Sequence, residues 1–367
     1  MKWSLLILYI VTNREIIPDE KGFAQLGSRP NAKGPNELRV VNISRSSSGR
    51  YRVQVLPDAL DTAAAKQIID RHHLPLDPGD THYVSLKVAA DITERARRNR
   101  THVLFFVHGF NNNIEDVVQR AFALQDNFGI EVVPFTWPAN GGGAPGVIAY
   151  KSDKRDARAS TGALDRAMKI MHTHFQMLSE SKRAELFEKA EAKHRNDPEA
   201  RDALYVKLLQ KHCPFTFNAM FHSMGNYLLK QMLKSSLCEG NELSFDNVIL
   251  VAADTNNLGH AAWVDQIRYR NRLYIAINEN DFALKASRAK LGSSQLARLG
   301  HYLRGLDSKQ AHYINFTGAA WVKSSHAYFA EPAEKNQKVG EFFQKAFSGE
   351  VAEDSLHYRP EGNWFDL

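Results

Sequence analysis

Short apolar runs that alternate with helical patterns constrain the fold of this chain more than any other feature of its sequence. Most runs are nearly uninterrupted, as expected for strands buried on both faces of a sheet. The predicted strands are Leu5–Val11, Leu38–Ile43, Tyr51–Leu56, Tyr83–Val88, His102–Val107, Val132–Trp137, Phe215–Phe221, Val248–Ala252, Leu273–Ile277 and Tyr313–Phe316. The predicted helices are Ile114–Phe128, Gly162–Leu178 and Tyr227–Leu237. This alternation predicts the α/β class, with a mainly parallel central sheet covered by helices on both faces.

The length of 367 residues is compatible with one large α/β domain that carries an insertion. We assign residues 1–350 to that domain and residues 351–367 to a C-terminal tail. A strongly charged segment at about 179–211 predicts two surface helices, broken near Asn196-Asp197-Pro198. Two interpretations of this insertion stay open. It is either a solvated helical hairpin or a lid or docking surface for a partner protein.

Cysteine and charge content exclude several classes of protein. Cys213 and Cys238 are the only cysteines, which excludes a disulfide framework and fits a reducing, cytoplasmic environment. The histidines lack companion ligands at metal-binding spacing, so we predict no metal, and no cofactor is implied. The net charge of +6 comes from basic residues mixed with acids, which predicts no specific binding of nucleic acid.

The first residues resemble an export signal only superficially. Lys2 precedes an apolar stretch, but no small-residue cleavage site follows it. We therefore expect a buried first strand. No later apolar run is long enough to predict a transmembrane helix.

The segment NAMFHSMGNYLL (218–229) joins a predicted strand to a predicted helix through Ser223. A sharp turn that presents a catalytic serine strains the backbone and favours small residues two positions away on each side. Gly225 meets this requirement and Phe221 does not. Taken alone, the segment is either such a nucleophile elbow or an ordinary connection between a strand and a helix.

A second loop carries the sequence His108-Gly109-Phe110 after a predicted strand. The carboxyl ends of parallel strands meet at one edge of a sheet, so this loop is expected near Ser223. A glycine-assisted turn can direct the backbone N–H of Phe110 at a developing negative charge. The N–H of Met224 would be the second donor of such an oxyanion hole.

Two aspartates and one histidine follow the later strands. Asp281 follows the strand at Leu273–Ile277, and Asp254 follows the strand at Val248–Ala252. Either aspartate could orient an imidazole, or simply cap the next helix. His326 lies in the loop after the last predicted strand. A serine followed along the chain by an acid and then a histidine is the order found in α/β-hydrolases.

The motifs together resemble the α/β-hydrolase superfamily, and within it an uncharacterised lipase-like branch. The similar segments run from the first strand nearly to the end of the chain. They are TNR (12–14), VHGFN (107–111), FTWP (135–138), HSMGN (222–226), NDFAL (280–284) and HAY (326–328). The resemblance implies an α/β-hydrolase fold with Ser223 as nucleophile, His326 as general base and acid, and Asp281 as the orienting carboxylate.

Two details of the sequence are interpreted through this resemblance. Members of the branch also depart from glycine at the position of Phe221, which favours the nucleophile elbow. Tyr150 and Asp153 resemble a Tyr-x-x-Asp element of the branch. We expect these two residues to have a structural role beside the site.

These features predict a serine hydrolase that cleaves a carboxyl ester or an acyl lipid through an acyl-enzyme on Ser223. His108, Trp137 and Phe282 are predicted to contact the substrate. At least some members of an apolar set near Ser223 should line an acyl pocket; the set is Phe110, Phe135, Trp137, Met224 and Phe282. Nearby cations either attract an anionic headgroup or form a solvated helix face; they are Lys285, Arg288, Lys290 and Arg298. The alternatives are a catalytically silent binding module with a hydrolase fold, and an effector hydrolase of defence or toxin type regulated by a partner protein.

Overall fold

The computed structural model describes residues 6–139, 147–213, 215–235, 238–288 and 296–367. The strands in these ranges are β1 (Leu6–Thr12), β2 (Arg14–Ile16), β3 (Leu26–Pro30), β4 (Arg39–Arg45), β5 (Tyr51–Val55), β6 (Val103–Val107), β7 (Glu131–Thr136), β8 (Phe217–His222), β9 (Asn247–Val251), β10 (Arg272–Ile277), β11 (Ala311–Asn315), β12 (His357–Arg359) and β13 (Trp364–Asp366). The α-helices are α1 (Thr62–His72), α2 (Val84–Asn99), α3 (Ile114–Phe128), α4 (Val147–Ala159), α5 (Thr161–Lys193), α6 (Pro198–His212), α7 (Met224–Leu233), α8 (Ala261–Val264), α9 (Phe282–Arg288), α10 (Glu331–Lys335) and α11 (Gln337–Phe347).

One large sheet organises the chain. Its strand order is β12-β13-β11-β10-β9-β8-β6-β7-β1-β4-β5. The strands from β13 to β1 run parallel to their neighbours. The antiparallel pairs of this sheet lie at its two ends, where β12 joins β13 and β4 joins β1 and β5. The prediction of a mainly parallel sheet is therefore confirmed.

Alternate residues of the central strands pack into two hydrophobic cores, one on each face of the sheet. In β6, Val103, Phe105 and Val107 belong to the core that holds residues of α2, α5 and α7. Leu104 and Phe106 belong to the core that holds residues of α3 and α11. Because β6, β8, β9, β10 and β11 run parallel, the loops that follow them meet at a single edge of the sheet.

The predicted strand Tyr83–Val88 is wrong, because the chain is helical there and forms α2. The alternation of Val84, Leu86 and Val88 suggested a strand. The buried positions continue, however, through Ile92 to Ala96, and a stripe at every fourth residue from Val84 is the pattern of one helix face. The six residues of the predicted strand were too few to distinguish the periodicity of a strand from that of a helix.

The charged segment at 179–211 forms a helical hairpin, but its first half is not a separate element. Helix α5 is 33 residues long and continues from the core into this segment. The break falls near Asn196 to Pro198 as predicted, since Asp197 caps α6 by accepting the backbone N–H of Ala200 at 3.0 Å. Phe187 and Tyr205 pack edge to face across the hairpin, with ring centroids 5.4 Å apart.

The expected C-terminal tail is instead part of the sheet. β13 pairs in parallel with β11, and β12 pairs with β13. Both strands have three residues and no fully buried side chain, so the sequence offered no apolar run to identify them. Among the described residues, no helix is long and apolar enough to cross a membrane.

Candidate active site

Ser223 lies in a strained turn between β8 and α7. Its backbone angles are φ 54° and ψ −120°, a conformation that costs a non-glycine residue energy and occurs mainly where function requires it. Helix α7 begins at the next residue. Gly225 allows this close packing, because a Cβ there would lie 2.8 Å from the carbonyl oxygen of Val107 and 2.9 Å from that of His108.

Phe221, which stands where glycine was expected, is accommodated by the core. Its side chain is buried and packs edge to face on Phe105, with ring centroids 6.5 Å apart. Asn226 braces the turn from inside, since its amide donates to the carbonyl oxygens of Phe221 at 2.8 Å and Ser223 at 3.1 Å. The strained turn therefore forms without the first glycine.

The loop after β6 touches Ser223 directly. A Cβ at Gly109 would lie 2.5 Å from Cβ of Ser223 and 3.0 Å from its Oγ, so this position excludes any side chain. Phe110 follows Gly109 and lines the same cavity as Ser223. Met224 is the first residue of α7. Backbone N–H groups at the first turn of a helix lack intrahelical partners, as an oxyanion donor requires.

Asp281 and His326 form a direct pair. Nδ1 of His326 lies 2.7 Å from Oδ2 of Asp281, whose side chain is fully buried. The other oxygen of Asp281 accepts the backbone N–H of Leu284 at 3.0 Å. Asn278 ties the two loops together, since its amide donates to the carbonyl oxygens of Lys323 and Ser325, each at 3.1 Å.

Ser223 and His326 open on the same cavity but are not hydrogen-bonded to each other in the part of the chain described here. Such contacts are often long without substrate and tighten in the reacting complex. His222 contacts the loop that carries His326 and helps to fix it. Its Nε2–H donates to the carbonyl oxygen of His326 at 3.0 Å, and the two rings lie 4.7 Å apart.

His222 itself is kept neutral by its surroundings. Burial, reinforced by the charges of His326 and Arg120, lowers the pKa of His222 well below its usual value. Because Nε2 donates to a carbonyl oxygen, the proton of the neutral ring is on Nε2.

Asp254 also lies beside Ser223, yet its carboxylate is engaged elsewhere. It accepts hydrogen bonds from the hydroxyls of Tyr150 at 3.0 Å and Ser287 at 2.9 Å. It also lies 3.0 Å from Nε of Arg298, and the two side chains are only 4% and 3% exposed. The imidazole of His326 is therefore paired with Asp281, whereas Asp254 is paired with a guanidinium.

A cavity of about 730 Å³ lies above these residues, within the range of small-molecule sites. Helix α3 forms one wall, and α9 and the segment after His326 form the others. The lining side chains include Phe110, Asn112, Gln119, Arg120, Ala123, Leu124, Tyr150, His222, Ser223, Asp254, Leu284, Ser287, His326 and Phe329. The candidate nucleophile, base and second carboxylate thus face one common space.

Comparison with known protein families identifies the family of this chain. A family model described as an alpha/beta hydrolase of unknown function (DUF900) matches residues 86–180 and 183–331. The chain belongs to this family. The matched residues include Ser223, Asp281 and His326. The family description gives the hydrolase class without a substrate.

Other comparisons add no functional information. A search of curated proteins found no significant match. A putative galactarate dehydratase of the enolase type from Agrobacterium radiobacter, bound to sodium and L-malate, is 7% identical over 77% of both chains, with a TM-score of 0.14. A putative mandelate racemase/muconate lactonizing enzyme from Labrenzia alexandrii is 9% identical over 75% of this chain and 79% of its own, with a TM-score of 0.13. Scores of this size do not indicate a shared fold.

Within this DUF900 member, the substrate contacts predicted for His108 and Trp137 need correction. Both side chains are fully buried, and their rings stack in parallel with centroids 5.3 Å apart. Nε2 of His108 lies 3.0 Å from the hydroxyl of Thr136, and the indole N–H of Trp137 donates to the carbonyl oxygen of His108 at 3.1 Å. Burial lowers the pKa of His108 to about 3. Position at a strand end was predicted correctly, but both side chains turn into the core and support the loop from beneath.

Phe282, the third predicted substrate contact, lies outside the cavity, and two of the cations near Asp281 are paired with other side chains. Phe282 is 70% exposed at the start of α9 and does not line the cavity. Arg298 pairs with Asp254, and the guanidinium of Arg288 donates to the hydroxyl of Tyr302. Lys290 lies outside the described residues, as does most of the glycine-rich segment 138–146.

The TNR and Tyr-x-x-Asp elements both support the loop after β6. Arg14 is buried and donates to the carbonyl oxygen of Asn112 at 3.2 Å and to the hydroxyl of Thr136 at 3.0 Å. Burial lowers the pKa of Arg14 to about 10, so it stays charged at neutral pH. Asp153 accepts the backbone N–H of Asn111 at 3.1 Å. The contact of Asp153 is of the structural kind expected from the sequence, whereas the sequence motifs did not explain Arg14.

Proposed function

We propose that this protein is a serine hydrolase of carboxyl esters or acyl lipids. The observation that carries the proposal is the strained turn at Ser223 facing the same cavity as the His326–Asp281 pair. In the proposed reaction Ser223 Oγ attacks the carbonyl carbon while His326 Nε2 takes its proton. Asp281 holds the imidazole by Nδ1 and stabilises its protonated form.

The tetrahedral intermediate would carry its negative charge toward the backbone N–H groups of Phe110 and Met224. Collapse expels the alcohol, which receives the proton from His326, and leaves an acyl-enzyme on Ser223. Water then attacks the acyl-enzyme with His326 again as base, which releases the acid and restores the serine. Apart from the substrate and water, every group in this proposed reaction belongs to the chain itself.

Labelling with a fluorophosphonate probe tests the nucleophile. We expect the native chain to be labelled and Ser223→Ala to remain unlabelled, with loss of p-nitrophenyl ester hydrolysis. Ser48→Ala, an exposed turn serine, is the matched control and should behave as native. Equal labelling of Ser223→Ala and the native chain would contradict the proposal. A folded native chain that neither labels nor hydrolyses esters would favour the silent binding module.

The cavity supports acyl chains longer than acetyl. Leu124, Phe329 and Ala123 contribute apolar surface to its walls, and each buried methylene contributes about 0.8 kcal/mol. We expect p-nitrophenyl octanoate to have a higher kcat/KM than the acetate. Ala123→Trp should remove this preference by filling the cavity, whereas Ala262→Trp on the exposed side of α8 should not. A preference that survives Ala123→Trp would place the acyl chain elsewhere.

A further inference from the structure

Arg120 is a cation on the cavity wall that the proposed reaction does not use. It lies on α3, partly buried, and lines the same cavity as Ser223, His222 and His326. Its guanidinium carbon is 5.9 Å from the ring centroid of Phe329, which forms the neighbouring wall. The aromatic ring supports the guanidinium and limits where it can move.

Arg120 differs from the buried arginines of the site, Arg14 and Arg298, by having no anionic or carbonyl partner among the described residues. Arg298 lies 3.0 Å from Asp254, and Arg14 donates to several oxygens, among them the carbonyl of Asn112. No hydrogen bond or ion pair within the described ranges involves the Arg120 side chain. A partly buried guanidinium without such partners keeps its N–H donors for a ligand in the cavity.

The nearest acid on the same helix does not fill this role. Asp116 lies one turn before Arg120, but its carboxylate accepts the backbone N–H of Asn113 at 3.1 Å and closes the cap of α3. It attracts Arg120 only from a distance, and burial still lowers the pKa of Arg120. The guanidinium therefore presents its donors to the cavity.

Arg120 is also close enough to the reacting groups to act on what is bound there. Its charge contributes to lowering the pKa of His222 and of His108. Gln119 and Asn112 add neutral polar surface to the same part of the lining. This part of the cavity wall thus carries the guanidinium of Arg120 beside neutral donors, which suits an oxyanion group with planar or tetrahedral geometry.

We propose that Arg120 recognises an anionic group of the substrate, a carboxylate or a phosphate, located a few atoms from the ester carbonyl. This inference rests on the proposed ester hydrolysis, because it assigns the class of ester. It distinguishes the substrate from a simple fatty ester, which offers no anionic group to the guanidinium of Arg120.

Three methyl esters of equal chain length test the inference: methyl hexanoate, monomethyl adipate, and methyl hexanoate with a phosphate on carbon six. For the native chain we expect kcat/KM to be at least about tenfold higher for one of the charged esters. Arg120→Gln should lose that advantage while hydrolysing methyl hexanoate at nearly the native rate. Arg120→Lys keeps the charge without the fork and should retain part of it.

Controls separate a local contact from an effect of net charge. Arg50→Gln removes the same charge from an exposed turn and should keep the native preference. The better of the two charged esters identifies the group as carboxylate or phosphate. No preference in the native chain, or an equal loss on neutral and charged esters in both Arg120 variants, would overturn the inference while leaving ester hydrolysis intact.

Binding measurements test Arg120 independently of turnover. Calorimetry with adipate and with inorganic phosphate should show binding to the native chain and to Ser223→Ala, and about tenfold weaker binding to Arg120→Gln. Equal affinity for native chain and Arg120→Gln, or no binding of either anion, would overturn the inference. If the proposed hydrolysis fails because Ser223→Ala keeps full activity, this binding result still decides the role of Arg120.

Discussion

Asp281 and Asp254 occupy equivalent places in the fold and have different partners. Each is buried in the loop after a parallel strand, at the edge of the sheet where the cavity lies. Asp281 faces His326, the base of the proposed reaction, whereas Asp254 faces Arg298, which has no part in that reaction. The partner therefore decides whether a buried carboxylate serves the proposed reaction or the stability of the fold.

The largest expected difference between the two concerns turnover. Asp281→Asn should lower kcat by about four orders of magnitude, because the amide no longer stabilises the protonated His326 or fixes its tautomer. Asp254→Asn should lower kcat far less, since no hydrogen bond joins it to the imidazole among the described residues. Ester hydrolysis by both variants at saturating substrate measures the contrast. The opposite ranking would show that Asp254 is the functional acid.

The order of these two variants should reverse when the free energy of unfolding is measured. Asp254→Asn leaves the guanidinium of Arg298 buried without its counter-ion and should lower the free energy of unfolding by about 3 kcal/mol. Asp281→Asn keeps an oxygen for the backbone N–H of Leu284 and should cost about 1 kcal/mol. Urea unfolding at neutral pH tests both. The double variant Asp254→Asn/Arg298→Met should recover part of the loss, and no recovery would contradict the ion-pair explanation.

The asparagines that fix the loops beside Asp281 and Asp254 should differ in the same way, with smaller effects on kcat. Asn278→Ala removes two hydrogen bonds that fix the loop of His326 and should lower kcat roughly tenfold, with KM little changed. Asn257→Ala is the matched change beside Asp254, where the amide donates to the carbonyl oxygen of Arg304. It should leave kcat nearly unchanged. Similar losses of kcat in the two variants would mean that both loops position the catalytic groups.

The smallest effect is expected from Tyr150→Phe. This change removes one hydrogen bond to Asp254 and keeps the ring that packs edge to face on Phe110, with centroids 5.6 Å apart. We expect a loss of about 1 kcal/mol in the free energy of unfolding and little change in kcat. Burial, together with Asp254, raises the pKa of Tyr150, so its hydroxyl remains a donor at neutral and mildly alkaline pH. A large loss of kcat would give the hydroxyl a role in the reaction.

The sequence by itself determined the α/β class and the order of the candidate groups along the chain. Both depend on local patterns, because an uninterrupted apolar run followed by a loop identifies a strand end wherever the strand lies in the sheet. The segment HSMGN by itself left a nucleophile elbow and an ordinary connection open; the family resemblance favoured the elbow, and the strained φ of Ser223 agrees with it. The match to the DUF900 family confirms the superfamily.

The tertiary structure alone decided which groups meet. Asp254 and Asp281 are alike in sequence, and only the packing of distant segments gives one of them Arg298 and the other His326. The side chains of His108 and Trp137 lie in the core although both residues follow the ends of strands. Arg120 lines the cavity, although charged residues on a helix usually face solvent. Sequence pattern fixes where a residue lies along an element. The direction of its side chain and the partner it finds depend on contacts between residues far apart in the chain, and the charge of a buried group depends on that partner.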